Sequence, residues 1–271
     1  MTTRQPAAEA WAEALGEWAI PAAILDAAPE EPWRFPPALF VWTPEQAASD
    51  STVDTVSRRR AIEAIPAGGS VLDVGVGGGR ASLPLVPPAA LVVGVDSSGE
   101  LLATFDATAA QAGVARRSVL GKWPDVADQV EPQDVVVCHH VAYNVADLVP
   151  FARALTGHAR FRVVLEMTAE HPMTNLNEAW RVIHGIERPS RPTASDAVAV
   201  LEEMGLRVTA EAHQRRLSPV KPIRADVVAF ARRRLCVRAE RDPEIDRLLG
   251  PDFESRLREV VTVWWDGQAE D

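Results

Sequence analysis

Val71-Leu72-Asp73-Val74-Gly75-Val76-Gly77-Gly78-Gly79-Arg80 is the stretch whose reading decides the fold of this chain. Val71–Val74 is an apolar run carrying one carboxylate, the texture of a strand buried on both faces. The glycines after it allow positive φ and a close approach of backbone to a ligand. A helix is expected to open just beyond them and to present free N–H groups, so that strand, turn and helix together predict a nucleotide-type site. The spacing then discriminates between cofactors. A dinucleotide fingerprint needs glycines at 75, 77 and 80, but position 80 is Arg, and no Gly-Lys-Ser/Thr follows to make a phosphate-binding loop of the Walker type.

Working outward, short apolar, β-branched runs recur at Leu91–Val95, Ser118–Leu120, Asp134–Cys138, Phe161–Leu165, Leu206–Ala210 and Val260–Trp265. Helix-like stretches at Glu100–Ala112, Ala146–Thr156, Asn175–His184 and Ala194–Met204 separate them. Such alternation calls for right-handed crossovers and a mostly parallel sheet with helices on both faces. The second run ends in Asp96, and a carboxylate at the end of the strand beside the glycine turn is placed to accept hydrogen bonds from ribose hydroxyls. As Asp96-Ser97-Ser98-Gly99 also opens a helix, an N-cap role is the competing reading.

Glycines at 75, 77 and 79 behind Asp73, followed by the acidic strand end Asp96, resemble motif I and its sequel in class I S-adenosylmethionine-dependent methyltransferases. The resemblance covers roughly residues 44–213 and the final run. It implies a Rossmann-like sheet of seven mostly parallel strands with the last strand antiparallel, S-adenosyl-L-methionine as cofactor, and a methyltransferase activity. It assigns the cofactor to Asp73, Gly75, Val76, Gly77, Gly79, Asp96, Ser97, Lys122, Trp123 and His139. Trp123 either stacks on the adenine or is a buried structural residue; the acidic residue many relatives carry here is missing before Asp125. The segment Cys138-His139-His140-Val141-Ala142-Tyr143-Asn144 resembles the post-strand region beside the sulfonium and the substrate. His139, His140 and Tyr143 are therefore the catalytic candidates: an imidazole titrates near neutral pH and suits a base, although local hydrogen bonding explains either histidine equally well. Glu166, Glu170, His171 and Asn175 follow the fifth strand, with Glu166 either facing the substrate or orienting a cation. No ligand spacing on one element supports a metal.

The flanks carry no motif. Residues 6–28 are expected to form an amphipathic helix with Trp11, Leu15 and Trp18 on one face, and Pro29–Trp42 is an ordered linker or lid rich in Pro and aromatics. Thr43-Pro44-Glu45-Gln46 signals the start of a helix reaching about residue 64. Two units are thus expected: an extension over residues 1–43, and a methyltransferase domain over 44–271 with a helical insertion at about 214–258.

The chain has 271 residues, of which 47% are hydrophobic and 24% charged, so it can bury a substantial core. Its formal net charge of −10 opposes long-range attraction of nucleic acid or anionic membrane. Arginine clusters at 58–60, 215–216 and 232–234 are read as solvated faces. Two distant cysteines point to neither a disulfide framework nor zinc, and no signal peptide or membrane span is legible. A cytoplasmic monomer or homodimer acting on a small molecule is expected, with no nucleic-acid or membrane partner. The competing classes are a non-catalytic binding protein on the same scaffold and an NAD-dependent oxidoreductase, the latter opposed by Arg80.

Overall fold

The computed structural model describes residues 5–33, 54–216 and 223–268. The Pro/aromatic segment beyond Trp33 and the capping signal at Thr43 lie outside them. The seven expected strands are present: β1 (Ser70–Val74), β2 (Leu91–Asp96), β3 (Ala115–Leu120), β4 (Gln133–His139), β5 (Ala159–Thr168), β6 (Thr209–Arg215) and β7 (Arg258–Asp266). They form one sheet in the order β3-β2-β1-β4-β5-β7-β6. β1 to β5 run parallel, and β7 lies antiparallel between β5 and β6. After β1 the chain winds outward through β2 and β3, then returns to lay β4 on the other side of β1. In open α/β sheets ligands bind where the strand order reverses, which here is at the carboxyl ends of β1 and β4.

Alternation along the central strands explains why both faces are apolar. Leu72 and Val74 pack on one side with Val136, Cys138, Val163 and Leu165. Val71 packs on the other with Val135, Val137 and Val164. Burial of such runs at about 25 cal/mol per Å² is the main stabilising force of the sheet.

The helices described are α1 (Ala7–Gly16), α2 (Ala22–Asp26), α3 (Val56–Ile62), α4 (Gly99–Gln111), α5 (Leu148–Gly157), α6 (Asn177–His184), α7 (Ala194–Glu203), α8 (Arg224–Arg234) and α9 (Asp242–Leu249). None is long and apolar enough to cross a membrane. The single helix expected over 6–28 is two, because Pro21 sits between them and a proline ring is accepted only at a helix start. The run Leu206–Ala210 overlaps only the first residues of the sixth strand. Leu206 and Val208 cover the core from the turn before it, while β6 is an edge strand with every other residue exposed and therefore has a polar sequence, Thr209–Arg215. Between β6 and β7, α8 and α9 join α6 in a second apolar cluster of Leu176, Trp180, Val228, Leu235, Ile245 and Leu249.

The N-terminal segment is fastened over the carboxyl side of the sheet. Trp11 is fully buried and its Nε1 donates to Val145 O at 2.8 Å. Trp18 Nε1 donates to Arg191 O at 2.6 Å. Arg188 closes the contact from the other side, donating to the carbonyls of Trp18 and Ala19. The rings then form a ladder: Trp11 stacks on Tyr143, Tyr143 meets His171 edge-on, and His171 stacks on Trp18 with centroids 3.8 Å apart.

Candidate cofactor and acceptor site

The glycine turn leaves β1 with φ of 77° at Gly75 and 89° at Gly79, a left-handed backbone that side chains resist. A Cβ on Gly75 would run into the Val141 side chain, and one on Gly79 would stand 2.7 Å from Leu83 Cδ1. The turn is anchored to β2 by the amides of Gly75 and Val76, which both donate to Val95 O at 2.8 and 3.1 Å. The Asp96 carboxylate completes the latch. Gly77 N donates to Oδ2 and Ser98 N donates to Oδ1, each at 2.9 Å. Ser98, not Asp96, caps α4, through its hydroxyl accepting from Leu101 N. Each Asp96 oxygen thus keeps a lone-pair direction for another donor.

The α-helix expected after the glycines is not there. Leu83–Leu85 makes one 3-10 turn, and Pro84, Pro87 and Pro88 leave too few amide donors to extend it. The turn therefore has no helix N-terminus behind it. What it offers a ligand is its own backbone and two carboxylates.

Asp73 is the second of these. It is buried, Ser82 Oγ donates to its Oδ2 at 2.6 Å, and its Oδ1 has no partner among the described residues. Burial, assisted by the nearby charge of Asp96 and opposed by the Ser82 hydrogen bond, pushes its carboxyl up to about 7. Ser97, next to Asp96, and Lys122, after β3, are exposed. Trp123 is buried in the main core, edge-on to His158, and its Nε1 is also without a partner among the described residues.

The exit from β4 adjoins the glycine turn through the contact between Val141 and Gly75. His139 lies opposite Glu166 in the β4–β5 register. Its side chain is 15% exposed, Nδ1 stands 4.0 Å from Glu166 Oε1, and Nε2 is buried without a partner among the described residues. Burial drives its imidazole down to about 4 against the opposing pull of Glu166, so it is neutral near pH 7. His140 has φ of 60°, a costly backbone for a non-glycine residue, and its amide donates to Glu166 O at 2.7 Å. Its Nε2 stands 3.3 Å from Glu166 Oε1. Tyr143 is buried, its hydroxyl donating to Thr168 O at 2.8 Å, and burial raises its pKa far above the usual phenol range.

Glu166 is the hub. It is 1% exposed, receives Ser57 Oγ on Oε2 at 2.6 Å and Arg215 Nη1 on Oε1 at 2.8 Å. Burial works against its charge, yet His139, the hydrogen bond from His140 and Arg215 together hold it well below the usual carboxylate range. With His139 neutral, the lasting part of that pull belongs to Arg215 and the hydrogen bond. Ser57 is not singled out by the sequence, and Arg215, expected within the 215–216 cluster to lie on a solvated face, is instead 20% exposed and paired with Glu166, because the alternation of β6 puts it on the same side as His213. The other arginine clusters are partly paired as well, Arg59 with Asp54, Arg60 with Glu63, and Arg232 with Asp242. Among the described residues no group of His, Cys, Asp and Glu is arranged to hold a metal.

Residues 71–161 match the family model of a methyltransferase domain. No curated protein is significantly similar to the chain in sequence. Among solved structures, the chain resembles the YcgJ protein of Bacillus subtilis, with 18% identity, 78% of this chain and 98% of that one covered, and a TM-score of 0.53. It also resembles a candidate methyltransferase of Bacillus halodurans at 17% identity, covering 82% and 98%, with a TM-score of 0.50. A candidate sarcosine dimethylglycine methyltransferase of Galdieria sulphuraria aligns at 14% identity over 83% and 85%, with a TM-score of 0.52. The glycine turn, the strand order with its antiparallel β7 and the matched segment lead to one conclusion: residues 71–161 are similar to a methyltransferase domain, and they sit in a chain with the Rossmann-like, seven-stranded methyltransferase fold.

Proposed function

We propose that the chain is an S-adenosylmethionine-dependent methyltransferase acting on a small-molecule acceptor. The observation that carries this is the Asp96 latch, which brings a carboxylate and the Gly75–Gly79 backbone together at one sheet edge. The residues suit the cofactor. Asp73 Oδ1 and His139 Nε2 are buried polar atoms in want of a partner, and Asp96 retains acceptor capacity for two hydroxyls. In this reading Asp96 holds the ribose, with Ser97 beside it, and Asp73 faces the amino-acid end, while the turn of Gly75, Val76, Gly77 and Gly79, whose amides are bonded to Val95, Asp96 and Val76, lets the cofactor approach the backbone closely. Lys122, Trp123 and His139 border the adenine and the methyl group. The cofactor supplies an already activated methyl group on a positively charged sulfur. What the protein contributes is alignment of the acceptor and exclusion of water.

Exclusion of water is the role we assign to the N-terminal extension, residues 1–43, whose Trp11 and Trp18 rings are laid over Tyr143 and His171. The net charge of −10 favours a small acceptor over a polyanion, and two free buried thiols suit a cytoplasmic protein. Isothermal titration with S-adenosylhomocysteine is expected to give saturable heat, and Asp96→Ala to weaken binding at least 30-fold, about 2 kcal/mol for hydrogen bonds to a charged group. No heat at millimolar ligand would sink the proposal.

A further inference from the structure

Two adjacent histidines share one carboxylate at the exit of β4, yet their surroundings differ. His139 is enclosed, its Nδ1 too far from Glu166 for a hydrogen bond. His140 is more open, with 38% of its side chain exposed, and it turns Nε2 toward Glu166 Oε1. A carboxylate accepts only, so the neutral ring carries its proton on Nε2 and leaves the Nδ1 lone pair open. Nδ1 makes no hydrogen bond among the described residues. The position is enforced twice, by the His140 amide on Glu166 O and by a left-handed backbone that a histidine does not adopt unless its surroundings hold it.

We infer that His140 is the general base of the methyl transfer, that Glu166 is its positioning residue, and that the acceptor is therefore a hydroxyl compound of the phenol or enol type. The inference rests on the methyltransferase reading above. A phenol of ordinary acidity, pKa about 10, keeps its proton at neutral pH and needs a base, whereas an amine has a nucleophilic lone pair once unprotonated. The groups around His140 suit an oxygen acid better than an ammonium. Glu166 Oε1 already faces Arg215 and His140, and Oε2, bonded to Ser57, belongs to a side chain only 1% exposed, so burial keeps the carboxylate from a cationic acceptor. In the step itself the acceptor O–H bond breaks, its proton passes to His140 Nδ1, and the oxygen electron pair forms the new O–C bond. The C–S bond of the sulfonium breaks and its electron pair stays on sulfur, leaving a neutral thioether.

The test uses the full chain and its His140→Gln and Glu166→Gln variants. Wild type and H140Q are expected to bind S-adenosylhomocysteine within threefold of each other; absence of binding in wild type would count against the methyltransferase reading itself, not against the base. Nitrogen-15 NMR of the S-adenosylhomocysteine complex is expected to find neutral His140 as the Nε2–H tautomer. E166Q is expected to mix the tautomers, because the Gln amide can donate to the ring as well as accept from it. With S-adenosylmethionine and a panel of phenols headed by 4-nitrocatechol, S-adenosylhomocysteine release is expected to exceed that with benzylamine. H140Q is expected to lower it about 100-fold or more and to abolish the rising limb of its pH profile. A wild-type Nδ1–H tautomer, an H140Q rate within threefold of wild type, a preference for benzylamine, or silence with every phenol overturns the inference.

Discussion

At Gly75 the chain has no room for even a methyl group, since the Val141 side chain occupies the place a Cβ would take and φ is 77°. Gly75→Ala combines a left-handed backbone with a clash and is expected to destabilise the fold by about 2–4 kcal/mol in urea unfolding. Val141→Ala in the same chain is expected to recover the clash but not the backbone cost; full recovery would mean the turn tolerates a side chain at this φ. The residues legible in the sequence are those whose chemistry depends on neighbours in the chain: Asp73 before the glycines, Asp96 at the next strand end, the histidine pair after β4. Ser57 was not legible, and Arg215 was legible only as one of a charged pair on a solvated face. They reach Glu166 across 109 and 49 residues of sequence, and no local pattern encodes such a meeting.

Among elements, β1, β2 and β4 announce themselves because both faces are buried, which demands continuous apolar runs. The edge strand β6 does not, and its sequence reads as loop until β7 is laid beside it. The missing helix after Gly79 has a different cause: three prolines in six residues override whatever helical preference the segment has. Trp11 was visible as part of an amphipathic face, but not what it would cover. Being fully buried with its indole N–H bonded to Val145 O, it is expected to cost about 3–5 kcal/mol on replacement by Ala. Calorimetry is then expected to register a Tm roughly 8–15 °C lower for a chain of this size. A change under 3 °C would mean that α1 is not fastened to the sheet.

The whole molecule adds opposing proton linkages. His139 and His171 are both driven down to about 4 by burial, so the unfolded chain takes up protons first and stability is lost as pH falls from about 6.5 to 4. Asp73 is raised to about 7 and acts in reverse: stability is gained as pH falls from 7 toward 4. At about 1.4 kcal/mol per pKa unit, Asp73 contributes up to about 4 kcal/mol and His139 about 3, with a smaller share from the less enclosed His171. A nearly flat profile between pH 7 and 4 is therefore expected. Below it Glu166, held low by its partners, gives a steep loss as it takes up a proton. Asp73→Asn removes one side of the balance, so urea unfolding is expected to find that variant more stable than wild type at pH 8 and losing that lead on acidification. A constant difference between the two chains across pH would exclude the linkage.

The antiparallel β7 has a consequence for how the protein is made. β6 touches the sheet only through β7, so while the nascent chain emerges, β6 has no strand to pair with until Arg258–Asp266 has left the ribosome. Until then Arg215 is not delivered to Glu166, and a carboxylate already enclosed by β4 and β5 is without its permanent counter-charge. The Glu166–Arg215 ion pair is thus the last thing synthesis completes, and any fusion or nick that keeps β7 from inserting leaves Glu166 with Ser57 and His140 but no arginine in an otherwise finished sheet.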